Sequence, residues 1–181
     1  MGRSSCKFLK KIIALLVLIL RMIISKFSIT YFQLMYNLLI FQSLISLKDI
    51  DLQKSKSLTQ IPDLSMAINL KTLDLGDCSS LMELPSSIQS LNKLEKLDMS
   101  GCSNLEALPP AINLQSLNRL DLKGCSRLRS FPDISTSFVE LILDGTSIDK
   151  FPSNLRLENL QLLSTRAIKS DKLWENVQVC I

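Results

Sequence analysis

The sequence predicts an α/β-type repeat solenoid whose short strands stack into a single curved parallel sheet on a concave face. Three observations carry this reading. A leucine phrase recurs along the chain, as Leu70, Leu73, Leu75 and Cys78, as Leu94, Leu97, Met99 and Cys102, and as Leu117, Leu120, Leu122 and Cys125. Each phrase is followed by the same return, Leu81-Leu84-Pro85, Leu105-Leu108-Pro109 and Leu128-Phe131-Pro132. Five of the six prolines fall in one column: Pro62, Pro85, Pro109, Pro132 and Pro152.

The phrase L-x-x-L-x-L-x-x-C has a period inside the leucine-rich-repeat range of about 20–29 residues. Its last two leucines are two apart, so both lie on one face of a short strand, and the residue between them faces the other way. No repeat buries its apolar side alone; a continuous core needs stacked neighbours. The prolines lack a donor and disfavour helix before them. The convex side is therefore expected to be irregular or short-helical, with one-turn helices such as Ser86–Ser90. Gly76, Gly101, Gly124 and Gly145 lie just past the strands, where the chain turns out of the sheet.

In chain order, residues 1–46 come first as an apolar, basic segment, expected to be helical. Through residue 47 there are six basic residues and no acidic one, leaving 15 of the 21 basic residues against all 17 acidic ones. The formal charge of +4 thus arises at one end and gives no footprint for nucleic acid. Lys7, Lys10 and Lys11 precede the apolar run Ile12 to Leu20, and Phe27 to Leu47 is uncharged. That is the outline of a signal anchor or a membrane span within 8–47. The alternatives are an apolar helix covering the open end of the solenoid, and sequence foreign to the repeats.

The repeat array is placed at 47–166, in five to six repeats, with 167–181 as a partial repeat or tail. The first phrase is Leu47, Ile50, Leu52 and Ser55; the fifth is Phe138, Leu141, Leu143 and Thr146. A sixth is expected at Leu157, Leu160 and Leu162, losing its phase after Thr165. Trp174 is expected to cap the core.

Cys78, Cys102 and Cys125 share one inward position, and Cys6 and Cys180 lie near the ends. Nothing has zinc spacing, so the thiols read as small buried hydrophobes in a reducing compartment. The chain has no histidine and no phosphate-loop glycine pattern. No catalytic residue, metal site or cofactor is expected.

The outward position between the strand leucines reads Asp51, Asp74, Asp98, Asp121, then Ile142 and Gln161. Strands about 4.8 Å apart line these carboxylates into a ladder, unfavourable unless countered. Lys96, Arg119 and Lys123 are placed to counter it. One reading is a concave recognition strip for a protein with a basic patch; the other is a repeat residue that bonds to adjacent backbone. Ile142 and Leu163 interrupt the polar strip at its C-terminal end.

Several stretches resemble the repeat domain of plant TIR-type nucleotide-binding leucine-rich-repeat disease-resistance receptors. They are Leu58 to Ser65, Cys78 to Ile88, Asn113 to Leu128, Phe131 to Thr136 and Lys169 to Gln178. The resemblance covers about residues 47–178. It implies a non-enzymatic, cytoplasmic recognition module in plant defence, binding a pathogen effector or a receptor component. TIR and nucleotide-binding sequence, which such receptors carry, does not occur in this chain. Two alternatives stay open: a membrane-anchored leucine-rich-repeat protein, and a receptor fragment without a function of its own.

Overall fold

The computed structural model describes residues 39, 42–109, 111–112, 114–134, 138–153, 155 and 157–175. The chain divides into two compact units, 1–43 and 44–181. Most of the expected N-terminal segment therefore lies outside the described residues. Among the described residues no helix is long and apolar enough to cross a membrane.

Unit 44–181 is a parallel solenoid. Its strands are β1 (Asp49–Asp51), β2 (Thr72–Asp74), β3 (Lys96–Asp98), β4 (Ala111–Ile112), β5 (Arg119–Asp121), β6 (Asp133–Ile134), β7 (Glu140–Ile142) and β8 (Leu162–Ser164). Six form one sheet in the order β1-β2-β3-β5-β7-β8, with β4 and β6 paired separately on the return side. This small second sheet adds order to a side expected to be irregular. The 3-10 turn Ser86–Ser90 follows Pro85, which is extended at φ −65° and ψ 149°, and it buries Ile88.

The phrase leucines fill the core. Leu70, Leu73, Leu75, Leu94, Leu97, Met99, Leu117, Leu120 and Leu122 are buried, as are the return leucines Leu81, Leu105 and Leu128. Full burial of such a side chain contributes about 1.5–3 kcal/mol. The strand register is the repeat register: Ile50, Leu73, Leu97, Leu120 and Leu141 stand opposite one another.

The thiols complete the turn. Cys78 Sγ donates to Leu52 O at 3.1 Å, Cys102 Sγ to Leu75 O at 3.2 Å, and Cys125 Sγ to Met99 O at 3.2 Å. Each fixes a turn to the strand end of the preceding repeat. The residue before each cysteine position is left-handed, at Lys54, Asp77, Gly101, Gly124, Gly145 and Ala167. Gly76, one residue earlier in its turn, is not.

The sixth repeat differs from the sequence reading. Leu163, not Leu160, pairs with Leu141, and Ser164 pairs with Ile142. The phrase is thus Leu160, Leu163 and Thr165, with Ile168 in the cysteine place, and Leu160, Leu163 and Ile168 pack against the core. The Leu157-Leu160-Leu162 phase fails because it would turn Leu163 out and Leu162 in.

At this end Phe131 meets Phe151 edge-on at 5.4 Å, and Trp174 packs on Phe151 at 5.2 Å. Leu173 is buried, and its carbonyl accepts from Phe151 N–H at 3.2 Å. Trp174 does cover core rings, but it stays 41% exposed; Leu173 is the side chain that enters the core.

Candidate functional site

Every side chain that the sequence singles out for recognition lies on the sheet or in the turn just past it. The strand alternation sends Asp51, Asp74, Asp98, Asp121 and Ile142 to the face opposite the core leucines, in consecutive register. The expected sixth rung, Gln161, is replaced by Ser164.

The carboxylates do structural work. Asp51, Asp74, Asp98 and Asp121 accept from the N–H two residues on, at Gln53 (3.1 Å), Gly76 (3.1 Å), Ser100 (3.0 Å) and Lys123 (3.1 Å). These bonds hold the strand end against the turn, as in Asx-turns. Asp74 also accepts from Gln53 Nε2 at 2.8 Å, and Asp98 from Ser100 Oγ at 2.7 Å.

Cations lie over the ladder. Lys96 Nζ is 3.9 Å from Asp74 and 3.8 Å from Asp98. Arg119 reaches Asp121 at 3.3 Å and pairs with Glu140 through its other terminal nitrogen. The side chains of Asp74, Asp98 and Asp121 are only 13%, 13% and 10% exposed, whereas those of Lys96 and Arg119 are 38% and 36% exposed. The expectation of a solvent-facing acidic ladder therefore needs correction. Only Asp51, on the first strand, is exposed; Asp121 is buried.

Burial pushes the Asp121 carboxyl above its ordinary range; the Lys123 N–H opposes this, and the neighbouring Asp98 adds to it. Burial likewise raises the Cys78 thiol, and it drives Cys102 and Cys125 up to about 12. At neutral pH these thiols are neutral and unreactive.

Lys123 is exposed and Ile142 is half-buried. Ser164 stands across from Ile142, and Leu162, 45% exposed on β8, stands opposite Glu140, diagonal to Ile142 on the same face. Leu163, expected to be exposed here, points into the core. From the sequence alone Leu162 falls in the inward column and Arg166 is not singled out, because the phase of the sixth phrase is weak. The length of the preceding return was the available signal: phrase starts at Phe138 and Leu160 give a spacing of 22 residues, close to the earlier 21–24.

A shallow groove runs along the turns past β7 and β8, lined by Gly145, Thr146, Ile148, Asp149, Ala167 and Lys169 among others. Thr146 is 4% exposed and occupies the cysteine place of the fifth repeat, but its hydroxyl makes no hydrogen bond.

Comparison with known proteins agrees with this architecture. The Leucine Rich Repeat family model matches residues 69–91 and 93–114. "Disease resistance protein RPP4" of Arabidopsis thaliana is 54% identical over 76% of this chain and 14% of that protein. "Disease resistance protein RPS6" of the same plant is 58% identical over 67% of this chain and 11% of that protein. "Protein SUPPRESSOR OF npr1-1, CONSTITUTIVE 1", also of Arabidopsis thaliana, is 53% identical over 74% and 11%. The chain thus spans between a tenth and a seventh of the length of these curated relatives.

Proposed function

This chain belongs with the leucine-rich-repeat regions of plant TIR-type disease-resistance proteins, and we propose that it is a recognition module of plant defence that holds a pathogen effector or a receptor component against its sheet face. The observation that carries the reading is the face itself. It is a six-strand parallel surface with cationic heads at its centre and exposed leucine at its end. Rigid strands present those side chains without the ordering cost that a loop would incur on binding.

The buried thiols fit a reducing, cytoplasmic setting. Asp74, Asp98 and Asp121 act as supports in this reading, and Asp51, Lys96, Arg119, Lys123 and Ile142 join Leu162 as contact residues.

A pairwise interaction screen of the full chain against a panel of plant-pathogen effectors and plant receptor proteins tests the proposal. Each positive is then retested with Leu162→Asp on the sheet face and Met82→Asp on the return side, where Met82 is exposed. Binding is expected to be lost with Leu162→Asp and kept with Met82→Asp. The opposite pattern, or no specific partner in the panel, contradicts the proposal.

A further inference from the structure

The outer edge of β8 carries one half of an interface that the solenoid completes between each earlier pair of neighbouring repeats. In every one of those pairs, three backbone groups reach forward to the next repeat. In the second repeat Lys71 O accepts from Glu95 N–H (2.8 Å) and Lys96 N–H (3.0 Å), Leu75 N–H donates to Asp98 O (2.8 Å), and Asp77 N–H donates to Ser100 O (2.6 Å). In the fifth, Val139 O accepts from Gln161 N–H (2.9 Å) and Leu162 N–H (3.1 Å), Leu143 N–H donates to Ser164 O (2.7 Å), and Gly145 N–H donates to Arg166 O (2.8 Å).

In the sixth repeat these three places belong to Gln161 O, Thr165 N–H and Ala167 N–H. Among the described residues none of the three has a partner, because β8 pairs with β7 alone. The turn nonetheless keeps the shape of the others: Ala167 is left-handed at φ 63°, where Gly145 has φ 69°. The core side matches. Leu141 and Leu143 are fully buried, whereas Leu163 and Thr165, one rung on in the same register, are half-buried, as are Leu160 and Ile168.

Exposed edges are normally blunted by charge, proline or a bulge. The opposite edge of the sheet follows that rule, since Lys48, Asp49, Asp51 and Lys54 are exposed along β1 and its ends. From Gln161 to Ala167 there is no proline and no glycine, and Arg166 is the one charged residue.

We propose that the outer edge of β8 docks an extended partner segment as a further parallel strand, the segment carrying apolar side chains at its first, fourth and sixth residues. The internal repeats specify this occupant. N–H groups of its second and third residues reach Gln161 O, and carbonyls of its fifth and seventh accept from Thr165 and Ala167 N–H. Its apolar side chains continue the core column over Leu160, Leu163 and Thr165. Strand addition of this kind takes affinity from main-chain bonds and specificity from alternate side chains. A second copy's β1 fits this edge poorly, because it would set Asp49 against Leu162. The site is the edge of the sheet and not its face, so this proposal and the function proposed above can fail separately.

The test uses the full chain under reducing conditions and a labelled synthetic peptide with the sequence of residues 92–108, which contains the third phrase. Saturable binding is expected by fluorescence anisotropy. A peptide with Leu97→Asp and Met99→Asp is expected to bind at least about tenfold more weakly. In the chain, Thr165→Pro removes an outward N–H and spares the bonds to β7; it is expected to weaken binding about tenfold, with circular dichroism unchanged. Amide exchange followed by NMR locates the contact: the Thr165 and Ala167 amides are expected to exchange quickly in the free chain and slowly with peptide bound. No saturable binding, indifference to Leu97→Asp with Met99→Asp or to Thr165→Pro, or slow exchange of both amides before peptide is added overturns the proposal. So does protection that appears at Lys48 and Asp49 and not at Thr165 and Ala167. If Thr165→Pro does not fold, the exchange rates decide.

Discussion

At the scale of single residues, the fold depends on a column of left-handed turns and a column of buried thiols. Gly101 has φ +75°, and a Cβ there would lie 2.4 Å from Asp77 Oδ1. Gly76 is one residue before the left-handed place in its own turn, and a Cβ on it would meet nothing closer than Asp74 Oδ1 at 3.3 Å. Gly101→Ala is therefore expected to lower stability by about 1–2 kcal/mol, because an L-residue is strained in that region. Gly76→Ala is expected to change stability by less than about half that; urea denaturation compares the two. The thiols give a signature in pH. Folded Cys102 and Cys125 keep their protons up to about 12, from an ordinary value of 9.0. The unfolded chain therefore loses these protons first, and stability falls as pH rises from about 9 towards 12, by up to about 1.4 kcal/mol per unit for each thiol. Cys125→Ala is expected to be less stable at pH 7, where it leaves a small void, yet to show a flatter decline across that window in the same denaturation assay.

At the scale of elements, the three cysteine-bearing repeats were fully legible in the sequence. The period-two spacing of Leu73 and Leu75, or of Leu97 and Met99, admits only one assignment of inner and outer faces. The Ser86–Ser90 turn was legible as well, because Pro85 leaves a short turn as the one helical option. The sixth repeat was not. Leu157, Leu160, Leu162 and Leu163 offer two phases, and stacking on Leu141 selects between them. The pairing of β4 with β6 carried no sequence pattern, since two-residue strands have no periodicity to read. The role of the aspartates was only half legible. Their column followed from the repeat, but the two lysine and arginine heads that cover them depend on side-chain reach across strands. The register of β8 makes a direct prediction. Leu163→Asp places a charge against the core and is expected to cost several kcal/mol, whereas Leu162→Asp is expected to stay within about 0.5 kcal/mol of the parent chain. Thermal unfolding of the two variants distinguishes the phases; equal losses would return the sixth repeat to the alternative phase.

At the scale of the whole molecule, each repeat rests on its neighbours, so stability is shared along the stack. The proposed recognition function uses the face that the core does not. The aspartates hold that face together, and in the proposed function the lysine, arginine and leucine side chains above and beside them are the groups offered to a partner. Asp98 separates these roles most clearly, since it bonds to Ser100 N–H at 3.0 Å and Ser100 Oγ at 2.7 Å yet shows little surface. The most direct measurement takes a partner identified by the interaction screen and determines its affinity for Asp98→Ala and Leu162→Asp at a temperature where both are folded. The account predicts that Asp98→Ala lowers the thermal midpoint, at a cost of about 1–3 kcal/mol, and keeps the parent affinity, while Leu162→Asp keeps the midpoint and loses the partner. Loss of affinity in folded Asp98→Ala with full binding by Leu162→Asp would contradict it, and would make the acidic column the contact surface after all.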